Sequence, residues 1–226
     1  MAKLTAVNLG STSLTHQQVV ELFPAICSSS SLVAASFYGI NLTMLNASTL
    51  ASTITKMEEA DLFHTHLTPL QIQHLFSAMV EPSSKLKSLE LAEGALASVD
   101  PCTCTLATAL SRLEFLALWD GGVRVTTQQL EQLFTAMGQG SCLKSMDLSS
   151  MDLSGVDPAT LATGISASGL EEVDLSYTNL TLAQLECLFT TLTSGPTSLH
   201  TLLLYGVELG ILQPPATIRY QGELRY

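Results

Sequence analysis

A leucine pattern that recurs along the whole chain constrains the fold more than any other feature of this sequence. The pattern L-x-x-L-x-L starts anew every 25 to 30 residues. Its eight apolar triplets are Leu4/Val7/Leu9, Leu32/Ala35/Phe37, Met57/Ala60/Leu62, Leu86/Leu89/Leu91, Leu113/Leu116/Leu118, Leu143/Met146/Leu148, Leu170/Val173/Leu175 and Leu199/Leu202/Leu204. Alternation at the last two apolar positions is typical of a short strand with one buried face. A repeat of this length indicates a solenoid of stacked units.

A helical segment follows each predicted strand, and the helix starts alternate between two kinds. Odd-numbered units carry a threonine three residues before a glutamine, the pattern of a capping box, at Thr15/Gln18, Thr68/Gln71, Thr126/Gln129 and Thr181/Gln184. Even-numbered units start their helix at an Asn or Asp cap, Asn46, Asp100 or Asp157, with Pro101 or Pro158 as the first helical residue. The sequence therefore predicts strand-helix units whose true period is a pair of units.

These features together resemble the ribonuclease-inhibitor-like class of leucine-rich repeats, which also forms the C-terminal sensor region of nucleotide-binding leucine-rich-repeat receptors. The resemblance implies an α/β solenoid, a horseshoe of about eight repeats with a parallel inner sheet and outer helices. The sequence departs from the family at the turn position that is usually Asn or Cys, where it has Thr12, Ile40, Thr65, Gly94, Gly121, Met151, Thr178 and Val207. Because Ile, Met and Val offer no side-chain hydrogen bond, we expect other groups or water to pair with the turn backbone there.

Helical periodicity stops near the C-terminus, after Gln213, Pro214 and Pro215. We therefore predict a repeat domain over residues 1–212 and a non-repeat tail over 213–226. Neither end shows a polar capping repeat, and a solenoid with bare ends exposes its core. This favours a fragment of a longer protein, or an end that a partner covers.

The charge balance bears on the class of partner. Twenty acidic against nine basic residues give a net charge of −11, which disfavours nucleic acid and anionic lipid and favours basic protein surfaces. A membrane-spanning helix needs about 20 consecutive apolar residues, and every apolar run in this sequence is far shorter. The first residues also lack a signal-peptide pattern. We expect a cytoplasmic protein with no membrane contact. Three glycosylation sequons, at Asn41, Asn46 and Asn179, favour the extracellular alternative, but five cysteines, an odd number, are more consistent with reduced thiols.

The candidate binding surface consists of the outward positions that flank the last two leucines of each motif, on the concave face of the predicted sheet. These positions form an acidic strip with aromatic residues in it: Tyr38, Glu59, Asp61, Phe63, Glu90, Phe115, Trp119, Asp147, Glu172, Asp174, Leu203 and Tyr205. Exposed aromatic residues are frequent anchors of protein interfaces. The alternative is that the rings pack on their neighbours and the carboxylates only solvate the face. Because like charges on adjacent strands repel, we favour binding of a basic protein partner.

Catalytic and metal sites are not indicated by any motif in the sequence. His64-Thr-His66 and Cys102-Thr-Cys104 each supply two metal ligands, which is too few for a zinc site. We expect no enzyme activity, no cofactor and no metal. Two alternatives to a sensor or inhibitor stay open. One is an activator of a Ran-type small GTPase, which the resemblance suggests and for which Arg124 is the candidate contact. The other is a scaffold that self-associates through its uncapped ends.

Overall fold

A single parallel sheet organises the molecule. The computed structural model describes residues 4–92, 109, 112–119, 125–167, 169–209 and 219–221, without the side chains of Ala92, Trp119, Ala167 and 219–221. Nine strands pair in chain order, each parallel to the next. They are β1 (Ala6–Asn8), β2 (Ala34–Ser36), β3 (Glu59–Asp61), β4 (Ser88–Ala92), β5 (Phe115–Trp119), β6 (Ser145–Asp147), β7 (Glu172–Asp174), β8 (Thr201–Leu203) and β9 (Arg219–Gln221). The molecule is thus the leucine-rich-repeat solenoid that the sequence predicts.

The helices alternate in length together with their two kinds of start. The described helices of odd units are α1 (His16–Ser28), α3 (Pro69–Val80), α4 (Thr127–Gly138) and α6 (Leu182–Ser194). Those of even units are shorter, α2 (Ala47–Ile54) and α5 (Pro158–Ala167). Consecutive helices pack against one another, as α2 does with α3 and α5 does with both α4 and α6. The expected cap at Asp100 and the proline that follows it lie outside the described residues.

The predicted capping boxes are confirmed at all four odd-unit helices. At each start the threonine hydroxyl accepts the backbone N–H of the glutamine three residues later, and the glutamine side chain accepts the threonine N–H. The even-unit caps are confirmed at Asn46, which accepts the N–H of Thr49, and at Asp157, which accepts that of Thr160. The bond from Thr160 also lowers the pKa of Asp157.

The core is one continuous stack of the motif leucines and the apolar faces of the helices. From the second unit to the eighth, all described motif residues are buried. The first unit differs, because Leu4 is 64% exposed and Val7 and Leu9 are half-buried. The first unit therefore buries its motif residues less completely than the later units do.

Buried glutamines satisfy turn carbonyls of the second and sixth units, whose turn positions are the apolar residues Ile40 and Met151. Gln71 Nε2 donates to the carbonyls of Leu42 and Leu45 at 2.8 and 2.9 Å. Gln184 Nε2 donates to those of Leu153 and Val156, both at 2.7 Å. In the three odd units that have a threonine at this turn position, its hydroxyl donates to the strand-end carbonyl, as Thr65 does to Leu62 at 2.6 Å. The capping glutamine thus also donates hydrogen bonds to the turn carbonyls of the unit before it, a role that the sequence pattern alone did not predict.

The ninth strand lies in the segment that the sequence assigned to a non-repeat tail. Leu202 pairs with Tyr220 in parallel register, so the sheet continues past the eighth repeat. No leucine motif marks this strand, and its short alternation was too weak to predict it. The boundary at residue 212 stays a prediction.

Candidate functional site

Strand pairing arranges the outward-facing positions of the concave face in three rows across β1 to β8. The first row is Ala6, Ala34, Glu59, Ser88, Phe115, Ser145, Glu172 and Thr201. The second row, two residues further along each strand, is Asn8, Ser36, Asp61, Glu90, Ala117, Asp147, Asp174 and Leu203. The third row follows where the strands end, at Gly10, Tyr38, Phe63, Ala92, Trp119, Ser149, Ser176 and Tyr205.

All the predicted site residues fall within these three rows. Those with exposed side chains are Tyr38, Glu59, Glu172 and Tyr205, and those with half-buried side chains are Asp61, Phe63, Glu90, Phe115, Asp147, Asp174 and Leu203. Trp119 lies at the end of β5, but its side chain is outside the described part. One face therefore carries the whole set, while contact of that face with a partner stays a prediction.

The aspartates of the second row are held in place by the turns that end their strands. Asp147 and Asp174 each accept, through Oδ1, the backbone N–H of the serine two residues later, both at 2.8 Å. Asp61 accepts the N–H of Phe63 in the same way at 3.1 Å, and Asn8 that of Gly10 at 2.8 Å. Because Asn8 does this without a charge, the turn requires the oxygen and not the carboxylate. The negative charges thus have no role in the turns themselves.

Glu90 is a half-buried carboxylate of the second row. Burial raises the pKa of Glu90, and the neighbouring Asp61 and then Asp147 raise it further. Within the described part of the chain, the carboxylate of Glu90 has no hydrogen bond and no ion pair. Its ionised form therefore carries an uncompensated charge.

A ladder of alternating charges runs directly beside the first row, and sequence reasoning missed it. We define the strand-entry ladder as the residues one position before the first row on six consecutive strands: Glu58, Lys87, Glu114, Lys144, Glu171 and His200. Lys87 Nζ lies 2.8 Å from Glu58 Oε2, which raises the pKa of Lys87 and lowers that of Glu58. His200 Nε2 lies 3.7 Å from Glu171 Oε2, a contact that is an ion pair only when the imidazole is protonated. Alternation of charge at one fixed repeat position was the signal that could have found it.

The concave rows show no such compensation. From β1 to β8 they contain six acidic residues and no lysine or arginine, although the ladder one position away alternates in sign. Arg219, beside Thr201 in register on β9, is the first basic residue in line with the first row. The sheet therefore neutralises charge at the strand entries and leaves its inner face negative.

A cluster of three rings lies beside the acidic part of the face. We define the ring cluster as Tyr38, Phe63 and His64. The Phe63 ring centroid lies 3.9 Å from that of His64 and 5.6 Å from that of Tyr38. His64 has a left-handed backbone with φ of 55°, an uncommon conformation for a bulky residue, and this turn brings its ring onto Phe63. His66 has the same φ, and within the described residues no group of three metal-binding side chains occurs.

Next to the ring cluster, the face forms a shallow groove of about 390 Å³. Small residues, Ala34, Ser36 and Ser88 among them, leave the space, and Glu59, Asp61 and Glu90 line it. We call this the acidic groove. Its composition suits a cationic group, since it offers three carboxylates and no competing basic side chain.

Other candidates named from the sequence fall outside the described residues. Arg124 and most of its loop, together with Cys102 and Cys104, lie in parts of the chain that the structure does not describe. Among the described residues, no helix has the length and apolar character needed to cross a membrane.

Comparison with known proteins supports the fold. The chain is similar in structure to the leucine-rich repeat-containing protein LegL7 from Legionella pneumophila, with a TM-score of 0.51 and 17% sequence identity over 89% of this chain and 74% of that one. No protein-family model and no curated protein sequence matches the chain. The likeness to LegL7 concerns the leucine-rich-repeat architecture alone.

Proposed function

We propose that this chain is a protein-interaction module that holds a basic protein partner on its concave face and performs no catalysis. The observation that carries the proposal is the contrast between two neighbouring sets of charges. The strand-entry ladder alternates between acidic and basic residues, whereas the charged residues of the concave rows from β1 to β8 are all acidic. A fold that pairs charges at one position and leaves them unpaired at the next has a surface suited to an external cation.

The energetics of the face support the same conclusion. Adjacent strands lie about 4.8 Å apart, so like charges directly opposite destabilise the sheet. Asp61 faces Glu90 in this way, and Asp147 faces Asp174. A cationic partner would remove this repulsion on binding. Aromatic residues between the carboxylates, such as Phe115 and Tyr38, supply the apolar contact that interface anchors require.

The repeat details support two finer assignments. A helix in each fully described unit and the alternation of two helix starts favour the ribonuclease-inhibitor-like subtype of leucine-rich repeat. Cys27, Cys142 and Cys187 are free thiols, which is consistent with a reducing compartment and therefore with a cytoplasmic location. The role as sensor, inhibitor or scaffold then depends on the partner.

Site-specific photo-cross-linking tests the proposal. A photoreactive phenylalanine analogue replaces Phe115 on the concave face or, as the matched control, the exposed Ser77 on α3. In lysate at low salt, we expect cross-links from position 115 to basic protein segments and no cross-links from position 77. The cross-links from position 115 should weaken as salt rises, because screening weakens charge attraction.

A double variant, Asp147→Asn with Asp174→Asn, separates charge from fold in the same assay. The amide oxygen retains the turn bond, as Asn8 shows, and the repulsion between the two carboxylates is removed. The variant is therefore expected to melt no lower than the natural chain and to lose most of its cross-linking. Cross-links confined to position 77, or undiminished in the double variant, would contradict the proposal. A second copy of the chain as the main product would instead support self-association.

A further inference from the structure

The ring cluster and the acidic groove form one continuous surface. Asp61 and Phe63 are alternate residues on the concave face, and Asp61 Oδ1 accepts the N–H of Phe63 at 3.1 Å. Asp61 Oδ2 accepts the hydroxyl of Ser36 at 2.7 Å. These two bonds fix the carboxylate at the point where groove and rings meet. Tyr38 and His64 are exposed, so part of the ring cluster is open to solvent.

Glu90 supplies a further negative charge on this surface. It lies next to Asp61 in the second row, half-buried, and its carboxylate has no hydrogen-bonding partner in the described part of the chain. Strands about 4.8 Å apart and alternate residues about 6.7 Å apart place Phe63 and Glu90 roughly 8 Å from each other. An arginine side chain that lies over the rings spans that distance.

From this geometry we infer that the ring cluster and the acidic groove together bind an arginine side chain in an extended segment of the basic partner. The inference rests on the proposed function and names the chemistry of its partner. The planar guanidinium stacks on an aromatic ring and forms two parallel hydrogen bonds with one carboxylate, here that of Glu90. A lysine ammonium is a compact point charge and does not satisfy both contacts at once.

The rest of the second row sets the length of the segment. Its acidic residues continue from Asp61 and Glu90 to Asp147 and Asp174 on β6 and β7. Four strand spacings make about 19 Å, which about six residues of extended chain cover. The partner segment therefore has an arginine over the ring cluster and further basic residues toward β7.

Peptide binding tests the inference with a defined probe. The probe is a blocked, fluorescently labelled peptide of that length with alternating arginine and serine, and its match has lysine in place of arginine. Fluorescence anisotropy with the whole chain gives both dissociation constants. Stacking and paired hydrogen bonds predict that the arginine peptide binds at least about tenfold more tightly.

Two variants remove the two contacts separately. Phe63→Leu keeps apolar volume without the ring, and Glu90→Gln keeps the shape of the side chain without the charge. Each is expected to weaken binding of the arginine peptide about tenfold and to abolish the preference over lysine. The control is Glu186→Gln, an exposed carboxylate on α6 and not on the concave face. It should bind as the natural chain does.

Three results would overturn the inference: no measurable binding of the arginine peptide, equal affinity for the two peptides, or unchanged affinity in both Phe63→Leu and Glu90→Gln. If cross-linking at position 115 persists in any of these cases, the concave face still binds a basic partner and arginine recognition alone is wrong. If that cross-linking also fails, the proposed function falls with it.

Discussion

Replacing Gln184 by methionine tests the bonds that join an even-unit turn to the next helix. Gln184 is 1% exposed and uses both ends of its amide. Its Nε2 donates to the carbonyls of Leu153 and Val156, and its Oε1 accepts the N–H of Thr181 at 2.8 Å. Methionine has a similar length and no group that replaces these bonds. The substitution therefore leaves the pocket filled and removes the hydrogen bonds.

The loss of folding free energy in Gln184→Met follows from the hydrogen bonds that each partner of Gln184 keeps. Leu153 O still accepts the N–H of Val156 at 3.0 Å, so it loses one of two bonds, about 1 kcal/mol. Val156 O loses the bond from Gln184, and a buried carbonyl without a partner costs about 1–3 kcal/mol. The N–H of Thr181 is near solvent, and losing its side of the capping box adds up to about 1 kcal/mol. We expect a loss of about 3 kcal/mol in the free energy of unfolding, or about 6–12 °C in melting temperature for a chain of this size.

Urea and thermal unfolding followed by circular dichroism measure the effect against two controls. Gln18→Met removes the same capping contact at an exposed glutamine whose Nε2 has no cross-unit bond in the described residues, and should cost no more than about 1 kcal/mol. Thr181→Ala removes the cap hydroxyl and leaves Gln184 in place, again for about 1 kcal/mol. Equal losses for Gln18→Met and Gln184→Met would refute the bridging role and leave only capping.

Two further predictions concern charge and packing. Glu90→Gln should raise the urea midpoint at neutral pH, because the raised pKa of Glu90 means that its ionised form destabilises the fold. This gain in stability should shrink as pH falls through the raised pKa, and it should be absent below the ordinary value of 4.5. A lower midpoint at neutral pH would contradict the reasoning. Gly164→Ala should destabilise by about 1–3 kcal/mol in thermal melts, since its Cβ would lie 2.6 Å from the carbonyl oxygen of Phe134. Gly138→Ala, where the nearest atom is 3.8 Å away, should not destabilise.

The sequence predicts local structure well wherever one residue's role depends on near neighbours in the chain. The leucine triplets give the strands, and the Thr-x-x-Gln spacing gives the helix starts, because both patterns act within a single unit. The same glutamines also bond to the preceding unit, and that role depends on which carbonyls lack a partner in a turn some 30 residues earlier. Gln184 and Leu153 are 31 residues apart, so no local pattern connects them.

Prediction of the candidate site shows the same limit. The two-residue alternation placed Asp61, Glu90 and Phe115 on one face, and the structure places them there. The ring contact of His64 depends on a left-handed turn that its residue type does not favour, so the sequence did not place His64 beside Phe63. β9 went unpredicted because it pairs through its backbone without a leucine motif.

The bridging glutamines restrict how such a chain can gain or lose repeats. Gln71 and Gln184 each tie an odd-unit helix to the even-unit turn before it, where Ile40 and Met151 replace the residue that would pair the turn internally. Removing one odd unit would place an even-unit turn directly before an even-unit helix. Because the start of an even-unit helix has no glutamine, the carbonyls of that turn would lose their hydrogen-bond donor. Excision or duplication of two consecutive units keeps every turn matched. Growth, shortening and engineering of this solenoid should therefore proceed in steps of two repeats.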